Sequence, residues 1–118
     1  MESAQFSKEQ TMSDLEVSTF QNRPAYRYIR TSDHMPALGT EVKMATVKLF
    51  NPTGAGTWYL SEYDSNERMA FGASDLGYGA ELGYIGMEEL VAFRGRFGLP
   101  IERDLHFTPC LLSEVCGK

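Results

Sequence analysis

The chain has 118 residues, 42% of them hydrophobic, which is enough for one compact domain that hides about two thirds of its unfolded surface and too little for two. Sixteen acidic residues against 11 basic ones leave a formal charge of −5, so an open nucleic-acid groove, which needs clustered Lys and Arg, is disfavoured. The acidic excess never gathers into a block of like charge, so imitation of a nucleic acid by carboxylates is permitted but not indicated.

Residues 1–22 are rich in Ser, Gln, Glu and Thr with scattered apolar positions, a composition that predicts a flexible N-terminal arm, with residues 23–118 forming a single domain. "MESAQFSKEQTMSDLEV" lacks a basic start followed by an apolar run, and no apolar stretch approaches the roughly 20 residues of a membrane span. A cytoplasmic protein without membrane contact is expected. "FQNRPAYRYIRTSDHMP" then interleaves Arg23, Tyr26, Arg27, Tyr28 and Arg30, the texture of a single-strand nucleic-acid contact. The net charge opposes that use, and a half-exposed strand or a protein contact competes with it.

From Glu41 the texture turns to strands. "EVKMATVKLF" carries β-branched and long apolar residues, and its alternation slips near Ala45 and Thr46, which predicts a bulge. Asn51, Pro52, Gly54 and Gly56 break it. "TWYLSEY" places Trp58, Leu60 and Glu62 on one face and Tyr59, Ser61 and Tyr63 on the other. After the turn "DSNER", "MAFGASD" alternates through Met69, Phe71 and Ala73, completing an antiparallel meander of three strands.

"DLGYGAELGYIG", Asp75 to Gly86, has glycines at 77, 79, 83 and 86. A dinucleotide loop needs G-x-G-x-x-G opening directly into a helix. Here Gly83 comes one residue late, the helix starts only after Gly86, and Asp75 and Glu81 would repel a phosphate. No Gly-Lys-Ser/Thr occurs either, so the segment reads as turn glycines. "GMEELVAFRG" then predicts a helix over 87–94, with Glu88 and Glu89 in the first turn where the helix dipole favours them. "IERDLHF" alternates as a terminal strand with Glu102, Asp104 and His106 on one face. Cys110 and Cys116 do not have CxxC spacing and have only His106 nearby, so they read as reduced thiols and no closed four-ligand metal site arises there.

Taken together, "VKLFNPTGAGTWYLSEYD", "FGASDLGYGAELGYIGMEEL" and "GLPIERDLHF" resemble a small domain-of-unknown-function family, number 2958, encoded by plasmids, integrative elements and phages. The resemblance runs from about Asp33 and His34 to Glu114. The family typically has a Cys before the Asp of its "DLG" segment, whereas this chain has Ser74, so any role for that thiol lapses here. The resemblance implies a mobile-element accessory protein and carries no activity with it.

Two surfaces emerge as candidates. Glu102, Asp104 and His106, joined by Asp75, Glu81, Asp33 and His34, could hold a divalent ion that activates water. Alternatively, Glu102 and Asp104 pair with Arg94, Arg96 or Arg103 on a solvated edge strand. The second surface mixes aromatics with acids, a combination suited to meeting a basic protein partner. Its residues would be Tyr63, Asp75, Tyr78, Glu81, Tyr84, Glu102, Asp104 and His106, with Trp58 in the core. The expected fold is α+β, an antiparallel sheet of four or five strands with one packed helix. The expected function is that of a non-enzymatic binding protein without a cofactor, a candidate inhibitor or modulator of a host defence or nucleic-acid-handling complex. The alternative is a metal-dependent enzyme acting on nucleic acid or nucleotides.

Overall fold

A computed structural model describes residues 14–19 and 26–116. It is mostly β, with short helices. The strands are β1 (Asp14–Ser18), β2 (Tyr26–Arg30), β3 (Met44–Ala45), β4 (Val47–Phe50), β5 (Thr57–Asp64), β6 (Met69–Asp75), β7 (Ala80–Gly86), β8 (Glu102–Arg103) and β9 (Cys110–Leu111). The helices are α1 (Met87–Ala92) and α2 (Leu112–Cys116), with single 3-10 turns at Thr31–Asp33 and Arg96–Gly98.

Five strands form an antiparallel sheet in the order β7-β6-β5-β4-β8, and two short ribbons, β1-β2 and β3-β9, lie outside it. The α+β expectation is therefore met coarsely: the sheet is there, and the helical share is small.

Each face of the sheet is dictated by alternation. Val47, Leu49, Leu60, Ala70 and Ile85 point to the first face, where Tyr28 and Ile29 of β2, Met87 and Leu90 of α1, and Ile101 close a core. On β6 this face carries only the small residues Ala70, Gly72 and Ser74. The opposite face carries Ala73, Phe71 and Tyr59, covered in part by Ala45, Phe107, Cys110 and Leu112. Cys110 is a free thiol. Trp58, expected in the core, is half-buried against the first cluster.

Near Thr46, where a bulge was expected, the strand divides: β3 before it pairs with β9, and β4 after it pairs with β5 and β8. A second irregularity has no signature in the sequence. Between Leu60 and Glu62 the β5–β6 register shifts by one residue. Beyond it Glu62 lies opposite Phe71 and Tyr63 opposite Ala70. The alternation read from "TWYLSEY" is thereby corrected: Tyr63 joins Trp58 and Leu60 on the first face, and Glu62 goes with Tyr59. A bulge inserts one unpaired residue, so every later side chain changes sides.

Three further expectations are corrected. Residues 14–18, expected within a flexible arm, form β1, with Glu16 and Ser18 buried. Residues 1–13 and 20–25 lie outside the described residues. The glycine segment contains a whole strand, because only Gly77 and Gly79 take positive φ there, 110° and 105°, while Ala80–Gly86 is extended. The terminal strand "IERDLHF" shrinks to Glu102–Arg103, with a turn at Leu105 and His106. Asp104 Oδ1 accepts from His106 N at 2.9 Å, an Asx turn that draws the chain out of the ladder. The two carboxylates and the imidazole therefore do not share a strand face.

Candidate functional site

The hairpin β6–β7 carries the exposed rings. Its tip is shaped by Asp75, whose Oδ1 accepts from Gly77 N (2.9 Å) and Gly79 N (3.2 Å). Two glycines with positive φ and one acceptor carboxylate make the four-residue connection, which lifts Tyr78 into solvent at 96% exposure. Leu76 beside it is also exposed. Along β7, Leu82 is 58% and Tyr84 70% exposed. Tyr84 meets the ring of Phe71 edge-on, with centroids 5.3 Å apart and planes at 73°. Glu81, exposed, projects to the other side with Gly83 and Ile85, as strand alternation requires.

Of the sequence-predicted partner residues, Asp75, Tyr78, Glu81 and Tyr84 come together on this hairpin, although the Asp75 carboxylate is engaged by the turn. Glu102, Asp104 and His106 lie at the opposite edge of the sheet, three strands away, beyond β6, β5 and β4. Asp104 there faces Lys48 Nζ at 3.7 Å. Tyr63 does not reach the surface. It is buried, and its hydroxyl donates to the Glu16 carboxylate. Burial, reinforced by that carboxylate, pushes the Tyr63 hydroxyl well above the usual tyrosine pKa. Asp33 is held by Arg103, with both N···O distances 2.8 Å, and His34 is exposed in a left-handed turn. Among the described residues no three His, Cys, Asp or Glu side chains gather as a metal-holding group.

Sequence reasoning missed what borders the hairpin on its Phe71 face. Glu62, brought there by the bulge, is 1% exposed. It accepts from Gly39 N and Thr40 N (both 2.9 Å), from the Thr40 hydroxyl, and from Lys43 Nζ at 2.6 Å. Lys43 also lies over the Phe71 ring, 5.1 Å from its centroid. One carboxylate thus pins residues 39–43 and presents Val42, which with Phe71, Leu82, Leu111 and Leu112 lines a groove of about 350 Å³. No linear motif announces this arrangement, because Glu62 and Lys43 meet only once the bulge has turned Glu62 over.

Burial of Glu62 opposes its ionisation, but the hydrogen bonds from Lys43, Thr40 and Gly39 prevail and hold its pKa down to about 2, from an ordinary 4.5. A depressed folded-state pKa gives stability that is fully present above 4.5 and is lost as pH falls towards 2. Glu62→Gln is therefore expected to lower the thermal midpoint at neutral pH. The gap between variant and wild type should close as melts are taken from pH 4.5 down to 2. A gap independent of pH would mean that the carboxylate's charge is not what anchors the loop.

No helix among the described residues is long and apolar enough to cross a membrane. No curated protein and no solved structure matches the chain. A family model described as "Protein of unknown function (DUF2958)" matches residues 20–114, a span that takes in β2, the whole five-stranded sheet and the exposed hairpin. The chain belongs to the DUF2958 family.

Proposed function

We propose that this chain is a mobile-element accessory protein of the cytoplasm that works by binding a protein partner with a basic surface, as an inhibitor or modulator of a host defence or nucleic-acid-handling complex such as a CRISPR effector. The observation that carries the reading is the β6–β7 hairpin, where Leu76, Tyr78, Leu82 and Tyr84 stand exposed beside Glu81. Large rings held on a rigid strand pair supply contact area at little conformational cost, and neighbouring carboxylates select a basic partner and speed its encounter. The alternative, a metal-dependent enzyme, gains no support, since the acid and His residues it needs are dispersed over both edges of the sheet.

The test is affinity capture from host lysate with the partner identified by mass spectrometry, followed by binding measurements on two variants. Tyr78→Ala is expected to weaken binding roughly 30-fold, mostly through a faster off-rate and with little salt dependence. Glu81→Lys should weaken it chiefly at low salt, because screening confines an exposed charge to about 8 Å at physiological ionic strength. Neither variant should lower the melting point appreciably, as both side chains are exposed. Unchanged affinity in both variants would leave the hairpin as mere surface and end this reading.

A further inference from the structure

β7 is the last strand of the sheet: no strand among the described residues pairs with its outer edge, and α2 lies over the face it shares with β6. Met87 N donates to Arg68 O at 3.0 Å, one step beyond the Gly86↔Met69 pair. In an antiparallel ladder, hydrogen-bonded and open pairs alternate. Residues 81, 83 and 85 therefore bond inward to β6, and the N–H and C=O groups of Leu82 and Tyr84 point away from the sheet. Among the described residues no other backbone segment bonds to them. Proline, lysine and a bulge, the usual guards of an exposed edge, are all missing from "AELGYIG".

From this geometry we infer that the edge of β7 receives an extended polypeptide segment as a sixth strand, one whose side chains alternate between basic and apolar. The inference rests on the partner-binding reading above and specifies how the partner docks. A strand added to β7 sends alternate side chains to the two sides of the sheet. On one side they meet Leu82 and Tyr84, next to the apolar groove with Val42 and Leu111. On the other side lies a hollow of about 300 Å³ where Trp58, Leu76 and Phe93 face Glu89. It is followed along the edge by a second hollow, where Glu67, Glu88 and Glu89 outnumber Arg68, whose guanidinium is engaged by Glu16. Aromatic faces beside carboxylates attract a guanidinium or ammonium group twice over. The same acids argue against a second copy of this chain as occupant, because pairing β7 with itself would bring Glu81, Glu88 and Glu89 of two chains together, each chain already at −5.

The experiment pans a displayed library of random dodecapeptides against the full chain and measures enriched peptides on wild type, Leu82→Pro and Leu82→Ala. Proline at 82 removes one outward N–H and leaves the inner ladder to β6 intact. Enriched peptides should alternate Lys or Arg with apolar residues. Leu82→Pro should weaken them at least about tenfold, and Leu82→Ala clearly less, since it keeps the amide. Should the proline variant not fold, hydrogen exchange on the wild type decides, with new protection expected at the amides of Leu82 and Tyr84 when peptide is added. Four results would overturn the inference: no enrichment, enrichment of peptides without basic residues, protection confined elsewhere, or a dimer of the chain alone that Leu82→Pro dissolves. A captured partner that responds to Tyr78→Ala but ignores Leu82→Pro would sink strand addition and leave the partner reading standing. Indifference to Tyr78→Ala and Glu81→Lys would sink the partner reading itself.

Discussion

Gly72→Ala is expected to unfold the protein. A Cβ added at Gly72 would stand 1.8 Å from the Tyr59 carbonyl oxygen, 2.9 Å from its carbon and 3.1 Å from Leu60 Cα. These are backbone atoms of a central strand, so the clash cannot be relieved by rotating a side chain. Gly72 sits opposite Leu60, at the step where the β5–β6 register shifts, and the close approach of the two backbones is part of that bulge. A loss above about 4 kcal/mol is expected, in the range reserved for changes that break a core element. Gly83→Ala is the control: a Cβ added there would meet nothing within 4 Å, and the extended backbone at Gly83 tolerates alanine, so its effect should stay within about 1 kcal/mol. Urea melts of both variants check the contrast, and a Gly72→Ala protein with a near-normal midpoint would refute the tight approach.

The second large effect is expected from Arg68→Met. Glu16 on β1 is buried, with a side chain 1% exposed, while Arg68 is 42% exposed. The guanidinium reaches Glu16 through Nε at 3.1 Å and Nη2 at 2.8 Å, and the Tyr63 hydroxyl donates to the same carboxylate. Removing the arginine strands a buried negative charge, which costs roughly 3–5 kcal/mol. Glu16→Gln should cost less, because the arginine left behind is exposed enough to be hydrated. Arg68 also has a φ of 52°, a left-handed conformation that a non-glycine residue resists. Methionine keeps that strain equal in variant and wild type, so the difference in melting reports the ion pair. If Glu16→Gln proved the more damaging of the two, the buried charge would not be the deciding quantity.

How much of the fold is legible in the sequence depends on the range of the interaction. The meander from Val47 to Asp75, the turn at residues 64–68 and the helix beginning at Met87 rest on local alternation, turn chemistry and dipole-favoured acids, all visible in short windows. β7 is hidden because Gly83 and Gly86 read as turn residues alongside Gly77 and Gly79. In the sequence nothing separates a glycine with positive φ from one in extended backbone. β1 is hidden because "DLEVS" is polar by composition, and what orders it is distant: Glu16 needs Arg68, and Ser18 donates to Val91 O at 3.1 Å. The hairpin residues Tyr78, Glu81 and Tyr84 are legible as a group. That they stand apart from Glu102, Asp104 and His106 is not, because strand order in space is set by the packing of the whole sheet.

The phase shift in β5 also governs which stretches of this chain can change length. Its extra residue, Ser61, is buried and its hydroxyl has no partner among the described residues; what the fold requires of it is that it stay out of the β6 ladder. Were Ser61 paired into the ladder instead, every later side chain of β5 would change sides, turning Glu62 away from Thr40 and Lys43 and carrying Tyr63 away from Glu16 in the same stroke. Two distant anchors would fail from a slip of one residue, whereas deletion of Ser61 itself would leave Leu60, Glu62 and Tyr63 on the faces they hold now. The Leu76–Gly79 connection has no such constraint, since it projects into solvent and touches neither anchor. Relatives that differ in length are thus expected to add or lose residues at the hairpin tip and, within β5, to change length only at the bulge position.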